Sequence, residues 1–219
     1  KSWYVTYLAN VLLPVLRHFP DVGLFRHLLS RPNEASRTLF LREMSDTVNT
    51  LYHHPCIALW VPFNEGWGQF DAKQITRLVR KLDPTRLIDH ASGWHDQGVS
   101  DVRSLHVYFK PYRFRPDKKG RAVVLSEFGG YNLPVAGHTW NEKNFGYKGY
   151  QTPEALGEAV KTLYETQIIP AKEKGLAACV YTQLSDVEDE VNGFVTYDRK
   201  EEKLPERLMQ AIARELKGE

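Results

Sequence analysis

Apolar residues recur at helical spacing through residues 34–53, where Leu41, Met44, Val48 and Leu51 share one side and charged or hydroxyl residues fill the other. The pattern predicts an amphipathic helix closed by His54-Pro55. Residues 56–63 then read Cys-Ile-Ala-Leu-Trp-Val-Pro-Phe without a charge, as expected of a strand buried on both faces in a parallel sheet. Asp71, with Gln74 three residues on, makes a capping-box pattern ahead of a second helix that turns Ile75, Leu78, Val79 and Leu82 inward. Short apolar runs at 87–90, 105–108 and 122–126 predict three further strands. Thr152-Pro153 opens a long helix with Leu156, Val160, Leu163 and Ile168 on one face, ended by Gly175. A last strand over 177–182 and a closing helix over 205–216 complete the series.

Strands alternating with helices imply an α/β fold, a parallel sheet wrapped by helices. Five strands are predicted where a closed (β/α)8 barrel needs eight, in about 250 residues. The simplest reading is one domain over residues 1–219 that holds an incomplete TIM-barrel fold, about strands four to eight, with 1–33 as a loop-and-helix lead-in. The first three strands would then lie upstream. An open sheet of this kind has a physical motive for self-association or for pairing with the missing barrel segment.

Charge and composition narrow the partners. Lysine and arginine total 29 against 27 acidic residues, so a net charge of +2 gives no electrostatic reason to expect nucleic acid or an anionic membrane as partner. The apolar opening is broken by Asn10 and Pro14 and stops well short of the roughly 20 residues of a membrane span. It has neither a basic start nor a cleavage site, so no signal peptide is read. Cys56 and Cys179 lie in apolar runs and are expected as buried, reduced thiols, which together favours a cytoplasmic location. No phosphate loop or nucleotide motif is present, and no cofactor is expected.

Two glutamates immediately follow apolar strands: Glu65 in Phe-Asn-Glu-Gly-Trp and Glu127 in Leu-Ser-Glu-Phe-Gly-Gly. In barrels the C-terminal strand ends face the active site, so both carboxylates are expected in one cleft. A carboxylate pair suits glycoside hydrolysis, which needs one carboxyl holding its proton and one ionised carboxylate, about 5–5.5 Å apart in retaining enzymes. Asn64 is placed to hydrogen-bond a sugar hydroxyl next to the reacting carbon, and Gly129-Gly130 lets the backbone turn tightly beside the cleft. The carbohydrate is the expected partner, and 12% aromatic content suits stacking on sugar rings.

The segment from Tyr52 to Glu65, Tyr-His-His-Pro-Cys-Ile-Ala-Leu-Trp-Val-Pro-Phe-Asn-Glu, resembles the acid/base signature of glycoside hydrolase family 2, and Ser126-Glu127-Phe-Gly-Gly its nucleophile segment. Asn64 to Asp71, Asp83-Pro-Thr-Arg86, Ala91-Ser-Gly-Trp94 and Tyr181 to Glu188 extend the resemblance over nearly the whole chain. It implies a retaining β-glycosidase, β-galactosidase-like, with Glu65 the acid/base ending the fourth barrel strand and Glu127 the nucleophile ending the seventh. Asn64 would meet the sugar 2-hydroxyl. Other strand-end candidates are Ser92, Trp94 and His95 after the fifth strand, His106 and Tyr108 on the sixth, and Gln183 and Asp186 after the eighth. Tyr108 is placed to orient the nucleophile, while Trp67, Trp94 and Trp140 are candidate stacking platforms. The acidic run Asp186, Glu188, Asp189 and Glu190 reads as a solvated loop.

Two rival readings compete. Asp89, His90, His95, Asp96, Asp101 and His106 suggest a metal-dependent hydrolase, but their spacing matches no strong ligand motif and leaves both glutamates unexplained, so no metal ligand is assigned. The absent strands make an inactive or non-catalytic carbohydrate-binding fragment the more serious alternative.

Overall fold

Asn33 caps helix α1 (Glu34–Leu51), its side-chain oxygen accepting a hydrogen bond from the Ser36 amide at 3.0 Å. The computed structural model describes residues 18, 20–23, 33–65, 68–93, 95–145 and 147–218, so most of the lead-in 1–33, Trp67 and Trp94 lie outside the described residues. The chain divides into two compact units, residues 1–105 with 117–122 and residues 106–116 with 123–219.

In the first unit, α1 lays Phe40, Leu41, Met44, Val48 and Leu51 against Trp60 and Phe63 and against Ile75 and Val79 of helix α2 (Ala72–Leu82). The Phe40 and Phe63 rings stack at 4.8 Å, and burying a side chain such as Phe63 stabilises the unit by about 1.5–3 kcal/mol. Strand β1 (Leu59–Trp60) pairs in parallel with β2 (Leu87–Ile88), and a bridge between Phe63 and Ala91 prolongs the pair. Regular strand is therefore shorter than the apolar run at 56–63 predicts. Cys56 sits in an exposed turn and Val61 is 46% exposed, so that run is not buried on both faces.

The capping box at Asp71 does not form. Asp71 takes a left-handed conformation (φ 46°, ψ 37°), and its side chain makes no capping hydrogen bond. The distant Asp21 replaces it: its carboxylate accepts from the Ala72 amide at 2.9 Å and its carbonyl from the Asp71 amide at 3.3 Å. At the other end of α2, Asp83 is fully buried. It receives hydrogen bonds from Trp60 Nε1 at 2.8 Å, from the Thr85 amide and hydroxyl at 2.9 and 2.6 Å, and from Arg86 at 2.7 Å. Arg86 also donates to the Ile57, Tyr52 and His54 carbonyls, which pins the turn before β1.

The second unit is built on strand β3 (Val102–Val107), whose last two residues belong to it, with β4 (Ala122–Gly129) and β7 (Leu176–Thr182). The sheet order is β3-β4-β7, with β4 and β7 parallel. Strand β3 starts and ends earlier than 105–108. A short parallel pair, β5 (Tyr131–Asn132) with β6 (Lys148–Gly149), was not legible in the pattern.

The long helix after Thr152 is not continuous. Helix α3 (Pro153–Leu163), capped by Thr152, passes into a π turn (Tyr164–Ile168) and then α4 (Ile169–Glu173). Pro170 offers no amide to the carbonyl four residues back, and the wider turn gives its ring room. Leu156, Val160, Leu163 and Ile168 are buried as predicted, Gly175 stops the segment at φ +110°, and helix α5 (Glu206–Lys217) closes the chain.

Candidate active site

Parallel pairing in the first unit ends at Phe63 and Ala91, held by hydrogen bonds from the Phe63 amide to the His90 carbonyl at 3.2 Å and from the Ser92 amide to the Phe63 carbonyl at 2.8 Å. Asn64 and Glu65 follow at once, in the loop that leads to α2; Asn64 is exposed and Glu65 half-buried. This is the C-terminal end of a parallel strand, where α/β sheets carry their chemistry. The aspartate and histidine stretch nearby is occupied by structural bonds. Asp89 accepts from Ser104 at 2.9 Å, the His90 ring meets Ser100, Asp101 pairs with Arg80 at 2.6 Å, and Asp96 with Arg121 at 2.8 Å. His95 is buried, 4.0 Å from Asp21, and Ser92 is buried as well.

In the second unit a bulge aims Glu127. Leu125 pairs with Cys179 and Phe128 with Tyr181, so β4 contains one more residue than β7 between these points, with Ser126 and Glu127 inside the irregularity. Phe128, 1% exposed, anchors the next position edge-on against Tyr164 and Tyr181. The chain then turns through Gly129 (φ +86°) and Gly130 (φ +67°). A Cβ at Gly129 would stand 2.2 Å from the Tyr181 ring and one at Gly130 2.2 Å from the Tyr147 ring, so both positions require glycine.

Period-two alternation puts His106 and Tyr108 on one face at the end of β3, and both reach the same carboxylate oxygen. The Tyr108 hydroxyl donates to Glu127 Oε2, and His106 Nδ1 lies 3.2 Å from that atom with its side chain fully buried. The Tyr108 oxygen is also 3.0 Å from Thr182 Oγ1 at the end of β7. Burial first, and then the bond to Glu127, push the Tyr108 hydroxyl far above the ordinary tyrosine range, which keeps it a proton donor. Its ring stacks on Tyr147 at 4.0 Å and 3° between planes.

The remaining candidates have other surroundings. The Gln183 amide donates to Asn192 at 2.8 Å and Glu190 at 3.2 Å, which holds the loop after β7. Trp140 is 56% exposed and packs on Tyr197 at 5.1 Å. Asp186 is not part of a solvated acidic loop: it is fully buried, with Lys203 Nζ at 2.7 Å and the Gly193 amide at 2.8 Å. Its partner cation lies 17 residues on, where no local pattern announces it. Thr182 lies inside the Tyr181 to Glu188 segment of the resemblance, which implies no role for it, and Tyr147 lies in no motif, so the sequence marks neither as a site residue.

Residues 17–135 match the family model described as glycosyl hydrolases family 2, TIM barrel domain, over more than half of the chain. No curated protein matches the chain. The crystal structure of an FMN-binding beta-glucuronidase from Facaelibacterium prausnitzii L2-6 is similar with a TM-score of 0.56 and 21% identity, over 84% of this chain and 33% of that one. At that identity the likeness speaks for the fold, and this chain spans a third of the other's length. Parallel strands in separate short sheets, none of them closed among the described residues, and a family match that runs through both glutamates lead to one assignment: the chain belongs to glycoside hydrolase family 2 and carries an incomplete part of its TIM barrel domain.

Proposed function

We propose that this chain supplies both catalytic carboxylates of a retaining β-glycosidase that removes terminal β-linked sugars. The observation that carries the reading is Glu127 at the end of a parallel strand, with the Tyr108 hydroxyl and the His106 imidazole on one of its oxygens. Two contacts on one oxygen fix a carboxylate for in-line attack. In the first step a Glu127 oxygen bonds to the anomeric carbon as the bond to the leaving oxygen breaks, and the Glu65 carboxyl protonates that oxygen. In the second, water gives its proton to Glu65 and bonds to the same carbon, freeing Glu127. Asn64 binds the sugar 2-hydroxyl, and no cofactor takes part. β-Galactosides are the first substrates to test, and β-glucuronides the next.

Proton NMR of the first-formed sugar from a phenyl β-glycoside tests the mechanism in the longer protein that this reading requires. The β anomer is expected first; the α anomer in first place overturns the double displacement.

Loss of activity in the isolated chain is the second reading, and exposed apolar surface favours it. Val180 of β7 is 56% exposed and Leu184 beyond it 75%, surface that an upstream barrel segment would cover. The 219-residue chain alone is expected to hydrolyse aryl β-glycosides weakly or not at all; robust turnover by it removes that requirement.

A further inference from the structure

We propose that Phe109 and Phe145, braced by Tyr147, form an aromatic platform for the ring that follows the reacting sugar in the substrate. The inference rests on the glycosidase reading and goes on to name the class of leaving group. Contacts run outward from the nucleophile without a break. The Tyr108 hydroxyl meets Glu127, the Tyr108 ring stacks on Tyr147 at 4.0 Å, and Tyr147 meets Phe109 edge-on at 5.2 Å and Phe145 at 6.0 Å. The two phenylalanines at the end of this chain are 39% and 55% exposed. A single exposed aromatic is ordinary, but two exposed rings gathered around a third beside a catalytic carboxylate mark a place for an apolar ligand face.

The order of contacts assigns the ring they meet. The reacting sugar has to lie against the Glu127 carboxylate and the Tyr108 hydroxyl. Phe109 and Phe145 both pack on Tyr147, the ring stacked on Tyr108, and so are assigned to the next ring of the substrate. The platform is also held in place. The Phe145 amide donates to the Asp189 carbonyl at 2.6 Å, Phe145 forms a bridge with Glu190, and Gly130 leaves the Tyr147 ring no room to shift inward. A surface fixed before binding loses little entropy on binding. Trp140, equally exposed, packs on Tyr197 and has no comparable line of contacts to Glu127.

The ligand chemistry is a flat apolar ring face, which an arene or the face of a second pyranose can present. Calorimetric titration of the full protein that carries this chain separates these sources. The probes are methyl and phenyl 1-thio-β-glycosides and thio-linked disaccharides of galactose, glucose, glucuronic acid and mannose, whose sulfur resists hydrolysis. For the sugar that binds, the phenyl compound is expected to bind about tenfold tighter than the methyl compound, the gain of one well-placed ring contact. Phe109→Leu with Phe145→Leu removes that advantage and leaves methyl affinity unchanged. Phe145→Leu alone, the milder change at the more exposed position, removes part of it. A gain for the disaccharide as well extends the platform to pyranose rings, and a gain for phenyl alone restricts it to arenes. Equal methyl and phenyl affinities, or an advantage that survives both substitutions, overturn the platform while leaving the glycosidase reading standing. Failure of every thioglycoside to bind overturns both.

Discussion

Asp83, at the C-terminal cap of helix α2 in the first unit, and Glu127, on strand β4 in the second, are carboxylates whose surroundings suit them to opposite uses. Asp83 is sealed from solvent and receives four hydrogen bonds, one from the guanidinium of Arg86. Burial alone would raise its pKa, but the bonds from Thr85, Trp60 and Arg86 outweigh it and hold the group well below the usual carboxylate range. Glu127 keeps 26% of its side chain exposed and meets a phenol and an imidazole on one oxygen. A carboxylate saturated by donors and a cation is a fixed anchor for the chain around it. One that meets a phenol hydroxyl and an imidazole on a single oxygen, beside solvent, is the kind of carboxylate that the proposed nucleophilic role needs.

Exchanging the carboxylates for amides separates these uses. Glu127→Gln is expected to lower kcat on a phenyl β-glycoside by about 10^4-fold or more with little change in thermal midpoint. Unchanged turnover removes the nucleophile assignment. Asp83→Asn leaves Arg86 buried without its anion and is expected to cost the first unit about 3–5 kcal/mol in urea denaturation. The pH dependence has a definite sign. A carboxyl held below its ordinary pKa in the folded state contributes stability above about pH 4, and that contribution falls away as the pH drops below it. Wild type should therefore lose stability on acidification more steeply than Asp83→Asn; parallel curves break the comparison.

Much of this was legible along the chain, for reasons visible in particular residues. The apolar runs before Glu65 and Glu127 announce strands because burial demands them, and the period of two places His106 with Tyr108. The α/β fold and the family follow from the same runs and motifs. What escaped was decided by residues remote in sequence. Asp21 caps α2 in place of Asp71 from 51 positions away, and Lys203 draws Asp186 out of what reads as a solvated run. The pairing of 56–63 was overestimated because apolar character signals burial more strongly than it signals hydrogen-bonded length.

Tyr147 offers the smallest expected effect and the sharpest test of how Glu127 is held. Its ring lies flat on Tyr108 and closes against Gly130, so it fixes the direction from which the Tyr108 hydroxyl approaches the carboxylate. Tyr108→Phe removes the donor itself and is expected to lower kcat by about 10^2- to 10^3-fold, as loss of one preorganised hydrogen bond does. Tyr147→Leu keeps the donor but loosens its aim, and should lower kcat by about tenfold, through the geometry that a misplacement of a fraction of an ångström disturbs. The two effects cannot be independent if Tyr147 acts through Tyr108. In a Tyr108→Phe background, Tyr147→Leu should therefore change kcat hardly at all, because the hydroxyl it positions is gone. Full additivity in that double-mutant cycle would mean that Tyr147 reaches the chemistry by another route. Glu127 would then owe its orientation to Thr182, 3.0 Å from the Tyr108 hydroxyl, and to His106, 3.2 Å from the carboxylate.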